Sequence, residues 1–451
     1  MNATREYFGT DGIRGTAGHH PLTAGFTVNL GVALAELLGK PPGRARFLLG
    51  MDTRRSGAML AQAITAGLTS RGADVTLLGV VPTPAIAYLT RELKATAGIM
   101  ISASHNPFQD NGIKIFTAGG EKLSDSLEAR IEDFIRELPD LDDVTHTDIG
   151  LAVDDGDMTE RYFRFLLDNA PFLDGLKVGL DCANGAASTL APRVFKQIGA
   201  RLDVVYAEPD GMNINAGCGS THPQALQERV RQHDLDVGVT FDGDADRTQL
   251  IDRRGRLVTG DHMLAILAVT RGEKEVVATV MSNLGLERFL ADNGINLHRT
   301  AVGDRYVGEE LRKRDLSLGG EQSGHLLLLD RAPTGDGILS ALQVLAAVRA
   351  SDVPLEDWMD RIPVYPQLLT NVSVPNGSKD LIAGHEDVLK AVAAAEERLG
   401  DDGRVNVRPS GTEPLVRVMV EGPDDQTVQT LTEELVAAVE AAGKAAGTSA
   451  S

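Results

Sequence analysis

The chain is poor in cysteine, in aromatic residues and in positive charge. Its 451 residues include two cysteines, one tryptophan and 4% aromatic residues, while 44 Lys and Arg face 64 Asp and Glu. Cys182 and Cys218 are too few and too far apart for a disulfide framework or a metal knuckle, which favours a reducing setting. A formal charge of −20 argues against a nucleic-acid partner, because nucleic-acid binding needs basic stripes. An anionic substrate needs only a local group of Arg and Lys, so it stays open.

The sequence also lacks a long hydrophobic run. No apolar stretch approaches the length of a membrane span, and the first seven residues carry no apolar signal region. We therefore expect a soluble, cytoplasmic protein without a membrane partner. Hydrophobic residues make up 42% and charged residues 24% of the chain, as is typical of globular proteins. The length predicts two to four domains.

Short β-type runs alternate with longer helical patterns over most of the chain. This alternation predicts βαβ units and mixed, mainly parallel sheets. From about Tyr365 the order changes to strand, helix, two close strands and helix, which indicates a smaller α+β domain. The acidic segment 137–158 is predicted to be a linker, and the chain is expected to fray after Gly443. The predicted α/β fold has four domains and a tail, with these limits: three α/β domains at 1–155, 156–253 and 254–365, an α+β domain at 366–445, and a flexible tail at 446–451.

Three aspartates alternate directly after a predicted strand at 236–241: Asp242, Asp244 and Asp246. Alternate residues of an extended segment project to one side, so the three carboxylates can converge. Oxygen ligands of this kind suit Mg²⁺ or Mn²⁺. An EF-hand would need Gly and Glu where this chain has Arg247 and Arg253, so a Ca²⁺ sensor is excluded. The alternative to a metal site is an acidic turn.

Ser104 lies in the polar loop that follows another predicted strand, at 97–102. It lacks the Gly-x-Ser-x-Gly elbow of hydrolases, and serines at strand ends commonly make turns or cap helices. A phosphorylated serine would carry about two negative charges, which a metal ion held by the aspartates could neutralise. The two loops together therefore predict a serine that carries a phosphoryl group beside a divalent cation.

Two further polar loops offer groups that could bind a phosphorylated sugar. In the glycine-rich loop 319–325, polar side chains could recognise vicinal hydroxyls, because a buried polar group without a partner is costly. A histidine in such a place is more often structural than catalytic. The loop 408–413 offers an arginine fork, hydroxyls and exposed backbone donors, which suit a phosphate, although an empty polar hairpin is the alternative. The candidate residues of these loops are Glu321, Ser323, His325, Arg408, Ser410, Gly411 and Thr412.

Arg14, in the glycine-punctuated opening 7–15, and Lys114, shortly after the serine loop, are candidate cations for a transferring phosphoryl group. Solvated surface charge is the alternative for both. The segment 50–57 lies at a strand-to-helix junction, and we expect it to shape the fold rather than to react.

These loops, in this order, resemble the α-D-phosphohexomutase superfamily over nearly the whole chain. The matching segments are 7–15, 101–107, 242–247, 320–325 and 408–413, and segments 213–223 and 302–307 resemble the amino-sugar branch. The resemblance implies a heart-shaped, four-domain enzyme with one central cleft. It implies a phosphoserine at Ser104. It further implies one Mg²⁺ on Asp242, Asp244, Asp246 and an oxygen of that phosphoserine, sugar contacts from Glu321, Ser323 and His325, and a distal-phosphate site at Arg408, Ser410, Gly411 and Thr412.

The resemblance implies interconversion of glucosamine 6-phosphate and glucosamine 1-phosphate, through glucosamine 1,6-bisphosphate as intermediate and activator. Such an enzyme would supply UDP-N-acetylglucosamine and cell-wall precursors. Arg14, Lys114 and Arg247 are suited by charge to neutralise the transferring group. Lys114 and His325 rank above His105 as the group that moves the hydroxyl proton.

Several alternatives stay open at this point. A phosphomannomutase or phosphoglucomutase would differ mainly in the sugar loop. A metal-dependent phosphatase would use the serine only to line the pocket, and a sugar-phosphate sensor would bind without turnover. The chain could be a homodimer or a monomer. A kinase, self-modification or the bisphosphate could phosphorylate the serine first.

Overall fold

Four β-sheets follow one another along the part of the chain that the structure describes. The structure is a computed structural model that describes residues 6–9, 11–39, 43–139, 141, 142, 144–375, 377–410 and 414–448. These residues form two compact units. The first extends to Met281 and includes Asn293–Arg361, and the second comprises Ser282–Asp292 and the described residues from Ile362 onward. The first three sheets belong to the first unit and the fourth sheet belongs to the second.

The first sheet has seven strands. They are β1 (Phe8–Gly9), β2 (Gly12–Thr16), β3 (Arg46–Met51), β4 (Asp74–Val80), β5 (Ala97–Ile101), β6 (Asp110–Thr117) and β7 (Ala152–Asp154). Their order is β1-β2-β6-β5-β3-β4-β7, antiparallel from β1 to β5 and parallel from β5 to β7. The helices of this region are α1 (Ala24–Leu38), α2 (Gly57–Ser70), α3 (Thr83–Glu92) and α4 (Asp125–Glu137).

Glycine allows α1 and α2 to pack closely. A Cβ atom on Gly31 would lie 2.4 Å from the Ile64 carbonyl oxygen, and one on Gly67 would lie 2.1 Å from that of Val28.

The linker predicted at 137–158 is wrong for Ala152–Asp154, which forms the edge strand β7. All three residues of β7 are exposed, so the strand carries no apolar alternation that could have revealed it.

The second and third sheets are smaller. The second has β8 (Lys177–Asp181), β9 (Arg201–Val205), β10 (Val237–Phe241), β11 (Thr248–Asp252) and β12 (Leu257–Val258), in the order β12-β11-β10-β8-β9. The third has β13 (Glu275–Thr279), β14 (Asn296–Thr300), β15 (Leu318–Gly320) and β16 (Leu326–Leu328), in the order β14-β13-β15-β16. The helices along this stretch are α5 (Thr159–Asp168), α6 (Ala187–Gln197), α7 (Gln224–Gln232), α8 (Gly260–Arg271), α9 (Leu284–Asp292), α10 (Asp304–Arg314), α11 (Gly337–Ser351) and α12 (Leu355–Arg361), of which α9 belongs to the second unit.

The three sheets of the first unit share one arrangement. Parallel pairs lie on one side of each sheet, and one strand, β5, β10 or β15, then turns back through a short loop into an antiparallel neighbour. These loops contain Ser104, the three aspartates and His325, respectively. The predicted mixed α/β class is confirmed, and the loops with the candidate site residues occupy equivalent places in the three sheets.

The second unit is the predicted α+β domain, with a helix added from earlier in the chain. Its antiparallel sheet contains β17 (Gln367–Ser373), β18 (Arg404–Pro409) and β19 (Leu415–Glu421), in the order β17-β19-β18. Its other helices are α13 (Lys379–Ala383), α14 (Glu386–Leu399) and α15 (Asp425–Thr448). The helix α15 continues past Gly443 to Thr448, as alanine-rich sequence favours helix, and the expected fraying of the tail stays a prediction. The last three residues of the predicted tail lie outside the described part.

Within the described residues, no single helix has the length and apolar character to cross a membrane. The pair α11 and α12 passes that test of length and composition together, but the two helices are bent by 88° at their junction.

Candidate active site

Ser104 is held with its hydroxyl aimed at the aspartate loop. It follows β5, all five residues of which are buried, and its side chain is buried as well. Its backbone has φ = +51°, a left-handed conformation that is uncommon for a residue with a Cβ atom. Its Oγ donates a 2.5 Å hydrogen bond to Oδ2 of Asp242. A strained backbone at a buried hydroxyl is a frequent property of reactive positions.

The three aspartates converge as their spacing predicts. One carboxylate oxygen from each lies within 4.8 Å of the others, and all three residues are buried. Asp242 Oδ1 accepts from the backbone N–H of Arg247 at 3.1 Å. Asp244 Oδ2 accepts from the Thr83 hydroxyl at 2.5 Å, whereas its Oδ1 is buried without a hydrogen-bond partner among the described residues. A buried oxygen without a donor is costly, so this carboxylate fits a metal ligand.

The charges around the aspartates also suit a cation. Burial raises the pKa of Asp242 well above its usual value, and repulsion from Asp246 and Asp244 adds to the effect. Burial would raise the pKa of Asp246 too, but Lys114 and His325 outweigh burial and hold it well below its usual range. Three carboxylates this close cannot all ionise without compensating positive charge. A divalent ion would supply that charge, and oxygen ligands of this kind suit Mg²⁺.

Lys114 is the buried counter-ion of this group. Its Nζ lies 2.9 Å from Oδ2 of both Asp244 and Asp246 and 3.2 Å from Oδ2 of Asp11. Burial opposes its charge, yet these carboxylates raise its pKa well above the usual value. An amine that stays protonated can neutralise a phosphoryl group, but it cannot accept a proton.

Two arginines and a histidine flank Ser104. Arg14 donates from Nη1 to the Ala103 carbonyl at 3.1 Å and pairs through Nη2 with Asp11. His105 Nδ1 lies 3.4 Å from the Ser104 Oγ and 3.3 Å from Nη1 of Arg247. Because a guanidinium only donates, Nδ1 is the acceptor nitrogen of the ring. Burial, reinforced by Arg247 and Arg14, lowers the pKa of His105 to about 4, so the imidazole is neutral at pH 7.

His325 is tied to two acids. Its Nδ1 lies 3.5 Å from Asp246 Oδ1 and its Nε2 lies 3.3 Å from Asp304 Oδ2. Burial disfavours its charge, but these two carboxylates raise its pKa to about 10. In the same loop, Glu321 accepts from the Gly303 N–H at 3.1 Å. The predicted sugar contacts of Glu321, Ser323 and His325 stay predictions.

The loop between β18 and β19 belongs to the second unit. Arg408 lies directly opposite Arg417 in the antiparallel register. Burial and this second guanidinium lower the pKa of Arg408. Two like charges placed opposite each other are unfavourable, and a bound anion would relieve them. Ser410 is buried, while Gly411 and Thr412 lie outside the described residues.

Sequence reasoning gave no role to three charged residues near Lys114. Lys122 Nζ lies 2.5 Å from Asp11 Oδ1 and 2.7 Å from Asp304 Oδ2, so these acids and lysines form a continuous, partly buried chain. Asp11 and Asp304 stand inside segments that carried the resemblance, at 7–15 and 302–307. Their place in these segments could have marked both aspartates as site residues, but spacing alone could not show which cation each aspartate pairs with.

Comparison with known proteins gives the family. The models described as "Phosphoglucomutase/phosphomannomutase, alpha/beta/alpha domain" I, II and III match residues 5–141, 160–255 and 259–365, and the model of the C-terminal domain matches residues 369–438. A phosphoglucosamine mutase of Deinococcus deserti is 52% identical over 98% of this chain and 99% of its own. One of Thermus thermophilus is 51% identical over 93% and 94%. A phosphoglucomutase/phosphomannomutase family protein of Burkholderia thailandensis, 24% identical, superposes with a TM-score of 0.81 over 97% and 98%.

Proposed function

The chain belongs to the phosphoglucomutase/phosphomannomutase family, and from this premise we propose that it is an isomerase that interconverts glucosamine 6-phosphate and glucosamine 1-phosphate. The amino-sugar substrate is supported by relatives about half identical over nearly the full chain, which are phosphoglucosamine mutases. The chemistry is carried by one observation: the buried Ser104 hydroxyl donates to Asp242 inside a converging aspartate triad. The product would feed the synthesis of UDP-N-acetylglucosamine and cell-wall precursors.

Each half-reaction moves one phosphoryl group. The P–Oγ bond of phosphorylated Ser104 breaks while a bond forms between phosphorus and the free hydroxyl oxygen of the sugar phosphate. The hydroxyl proton ends on Ser104 Oγ, and the bisphosphate so formed then turns and returns its other phosphoryl group to the serine. Asp242, Asp244, Asp246 and an oxygen of the phosphoserine would hold Mg²⁺, and the ion would supply charge neutralisation.

Arg14, Lys114 and Arg247 supply the remaining positive charge. A phosphoryl group passes through a loose transition state, so positioning and neutralisation matter more than covalent help. Lys114 is held by the aspartates it neutralises, and Arg14 and Arg247 flank the loop of Ser104. These three cations are thus placed by ion pairs and hydrogen bonds rather than left free in solvent.

We assign the proton transfer to His105, which reverses the ranking made from sequence. Its acceptor nitrogen lies 3.4 Å from the Ser104 Oγ, and its low pKa keeps it neutral. Lys114 and His325 keep their protons at neutral pH, because carboxylates raise the pKa of each. In this proposal His325 orients Asp246, while Glu321 and Ser323 contact the sugar.

The distal phosphate would be held by Arg408, Ser410, Gly411 and Thr412. The pairing of Arg408 with Arg417 across two strands supports an anion there. The domain limits at 155, 253 and 365 belong to the same proposal. A hexose 1,6-bisphosphate would prime Ser104 in the absence of a kinase.

The test is turnover with Mg²⁺ on glucosamine 6-phosphate, mannose 6-phosphate and glucose 6-phosphate, with sugar 1-phosphate and free phosphate both quantified. We expect a clear preference for glucosamine 6-phosphate and no phosphate release. Preference for another hexose would favour a phosphomannomutase or phosphoglucomutase, and free phosphate as the main product would favour a phosphatase. The Ser104→Ala variant should lose the phosphoserine and turnover together, and full turnover without Ser104 would contradict the scheme.

A further inference from the structure

The most heavily bonded side chain around the Ser104 loop is a buried arginine. Arg54 donates from Nη2 to the carbonyl oxygens of Ser104 at 2.9 Å and Asn106 at 2.8 Å. It donates from Nη1 to the carbonyls of Pro107 and of Asp110, the latter at 3.0 Å. Its Nε donates to Asp52 Oδ2 at 2.9 Å. A guanidinium has five N–H donors, and all of them are used in the described structure.

The backbone N–H of Ser104 is linked to Asp52 by two hydrogen bonds through the Ser102 hydroxyl. The Asp52 Oδ2 that pairs with Arg54 also accepts from the Ser102 hydroxyl at 2.6 Å. The Ser102 Oγ in turn accepts from the Ser104 backbone N–H at 2.9 Å. Arg54 and Asp52 are both fully buried at their side chains, so this network is shielded from competing water.

Asn215, which lies between β9 and α7, also holds the loop of Ser104. Its Nδ2 donates to the Ser104 carbonyl at 2.9 Å and to the Asn106 carbonyl at 3.0 Å. Asn215 itself has a left-handed backbone, with φ = +58°. The Ser104 carbonyl therefore accepts from two side chains that come from different parts of the chain.

We propose that Arg54 and Asn215 are positioning residues that hold Ser104 in its left-handed conformation and so aim its Oγ at Asp242. The inference rests on the proposed function and adds that the geometry of the phosphoserine is set by these two donors. A non-glycine residue leaves the left-handed region unless its surroundings hold it there. Release of the carbonyl would let the peptide rotate, and a misplacement of about 1 Å at a transferring group costs about 100-fold in rate.

Two substitutions test this inference. In Arg54→Lys the charge remains, but at most three donors replace five. In Asn215→Asp the size and the tolerance for a left-handed backbone remain, but the ionised carboxylate cannot donate to a carbonyl. The measurements are kcat and KM with glucosamine 6-phosphate, and the phosphoserine content by intact mass after incubation with glucose 1,6-bisphosphate. We expect kcat per phosphorylated molecule to fall about 10-fold to 100-fold while KM changes less than about 3-fold.

Matched controls separate positioning from general loss of structure. Arg256→Lys changes an arginine whose Nε also pairs with a buried aspartate, Asp252, and whose Nη2 also donates to a carbonyl, that of Glu356. Asn184→Asp changes another left-handed asparagine, which donates to the Asn213 carbonyl. We expect both controls to keep kcat within about 2-fold.

The outcomes distinguish the two levels of the proposal. If wild-type protein turns over none of the three hexose phosphates, the proposed function fails. If wild-type protein is active and both test variants keep the wild-type kcat per phosphorylated molecule, the positioning inference is wrong although the function stands. A lower melting temperature with unchanged kcat would likewise mean a purely structural role. If Arg54→Lys does not fold, Asn215→Asp decides the question alone.

Discussion

Replacing Lys114 with methionine should destabilise the metal-free protein far more than removing a surface lysine. Lys114 is buried between Asp11, Asp244 and Asp246, and Lys114→Met keeps the chain length but removes the charge. Breaking a buried ion pair on one side costs about 3–5 kcal/mol, because the carboxylates left behind stay buried. At about 2 °C per kcal/mol for a large domain, the melting temperature should fall by about 6–10 °C.

The assay is thermal unfolding followed by circular dichroism, in EDTA and in excess Mg²⁺. Divalent ions at about 100 times the dissociation constant stabilise by about 2.7 kcal/mol. The ion should bind the variant more tightly, because Lys114 no longer shares the carboxylates of Asp244 and Asp246. The rise in melting temperature on adding Mg²⁺ should therefore be larger in the variant than in the wild type.

The same variant should respond to pH. In the wild type, burial alone would raise the pKa of Asp11 and of Asp246, but Lys114 and neighbouring cations hold both well below the usual value. These groups therefore stabilise the fold at neutral pH and lose that effect only in strong acid. Loss of the attraction to Lys114 should raise the pKa of Asp11 and of Asp246 above their wild-type values, so the stability that the variant loses should diminish as pH falls from neutral toward about 4. The difference in melting temperature between the variant and the wild type should therefore be smaller at pH 5 than at pH 7.

Lys177→Met is the control, since Lys177 pairs with Asp234 in an exposed bridge at 3.5 Å. Such bridges contribute about 0–1 kcal/mol. Equal melting temperatures for the two variants in EDTA would refute the reasoning. An identical Mg²⁺ response of Lys114→Met and wild type would show that lysine and metal do not share these carboxylates.

Three further predictions concern the metal, the proton and the distal phosphate. Thr83→Val removes the hydroxyl that donates to Asp244, and the Mg²⁺ concentration for half-maximal activity should rise about 10-fold to 100-fold. His105→Gln should lower kcat about 100-fold, and an unchanged pH–rate profile would contradict its assignment. Arg417→Leu should raise KM about 10-fold, since a charged hydrogen bond is lost. The substitution should also raise the free energy of unfolding of the second unit by about 0.5 kcal/mol, measured by chemical denaturation, because it removes the repulsion between the guanidinium groups of Arg408 and Arg417.

Sequence predicted the long elements of this chain well, because their burial patterns are local. The strand predicted at 236–241 is found at Val237–Phe241, and the order of strand, helix, two close strands and helix predicted from about Tyr365 is found in β17, α14, β18, β19 and α15. The edge strand Ala152–Asp154 was missed, since an exposed strand needs no apolar alternation. The helix α10, Asp304–Arg314, has strongly polar sequence and was also missed.

The convergence of the site was predictable from motifs, but the state of its protons was not. Spacing placed three carboxylates on one side of a loop, and the structure brings them together. Whether His325 or His105 is neutral depends on which acids and arginines surround each ring, and those partners come from distant parts of the chain. Arg54 was predicted only to shape the fold, because nothing local shows that three carbonyl groups of the serine loop and one at the start of β6 converge on it.

The three hairpin loops of the first unit also share a backbone feature. Each contains one residue with positive φ: Ser104 at +51°, Ala245 at +55° and Gly324 at +92°. Only the glycine adopts such an angle without strain, and a residue with a Cβ atom loses about 1–2 kcal/mol there. Among these three loops, the strain is therefore confined to the two that would hold the phosphoryl group and the metal. Because strands bound each loop on both sides and hydrogen bonds hold its carbonyls, the hydroxyl and the carboxylates are placed by backbone that cannot relax without breaking those bonds.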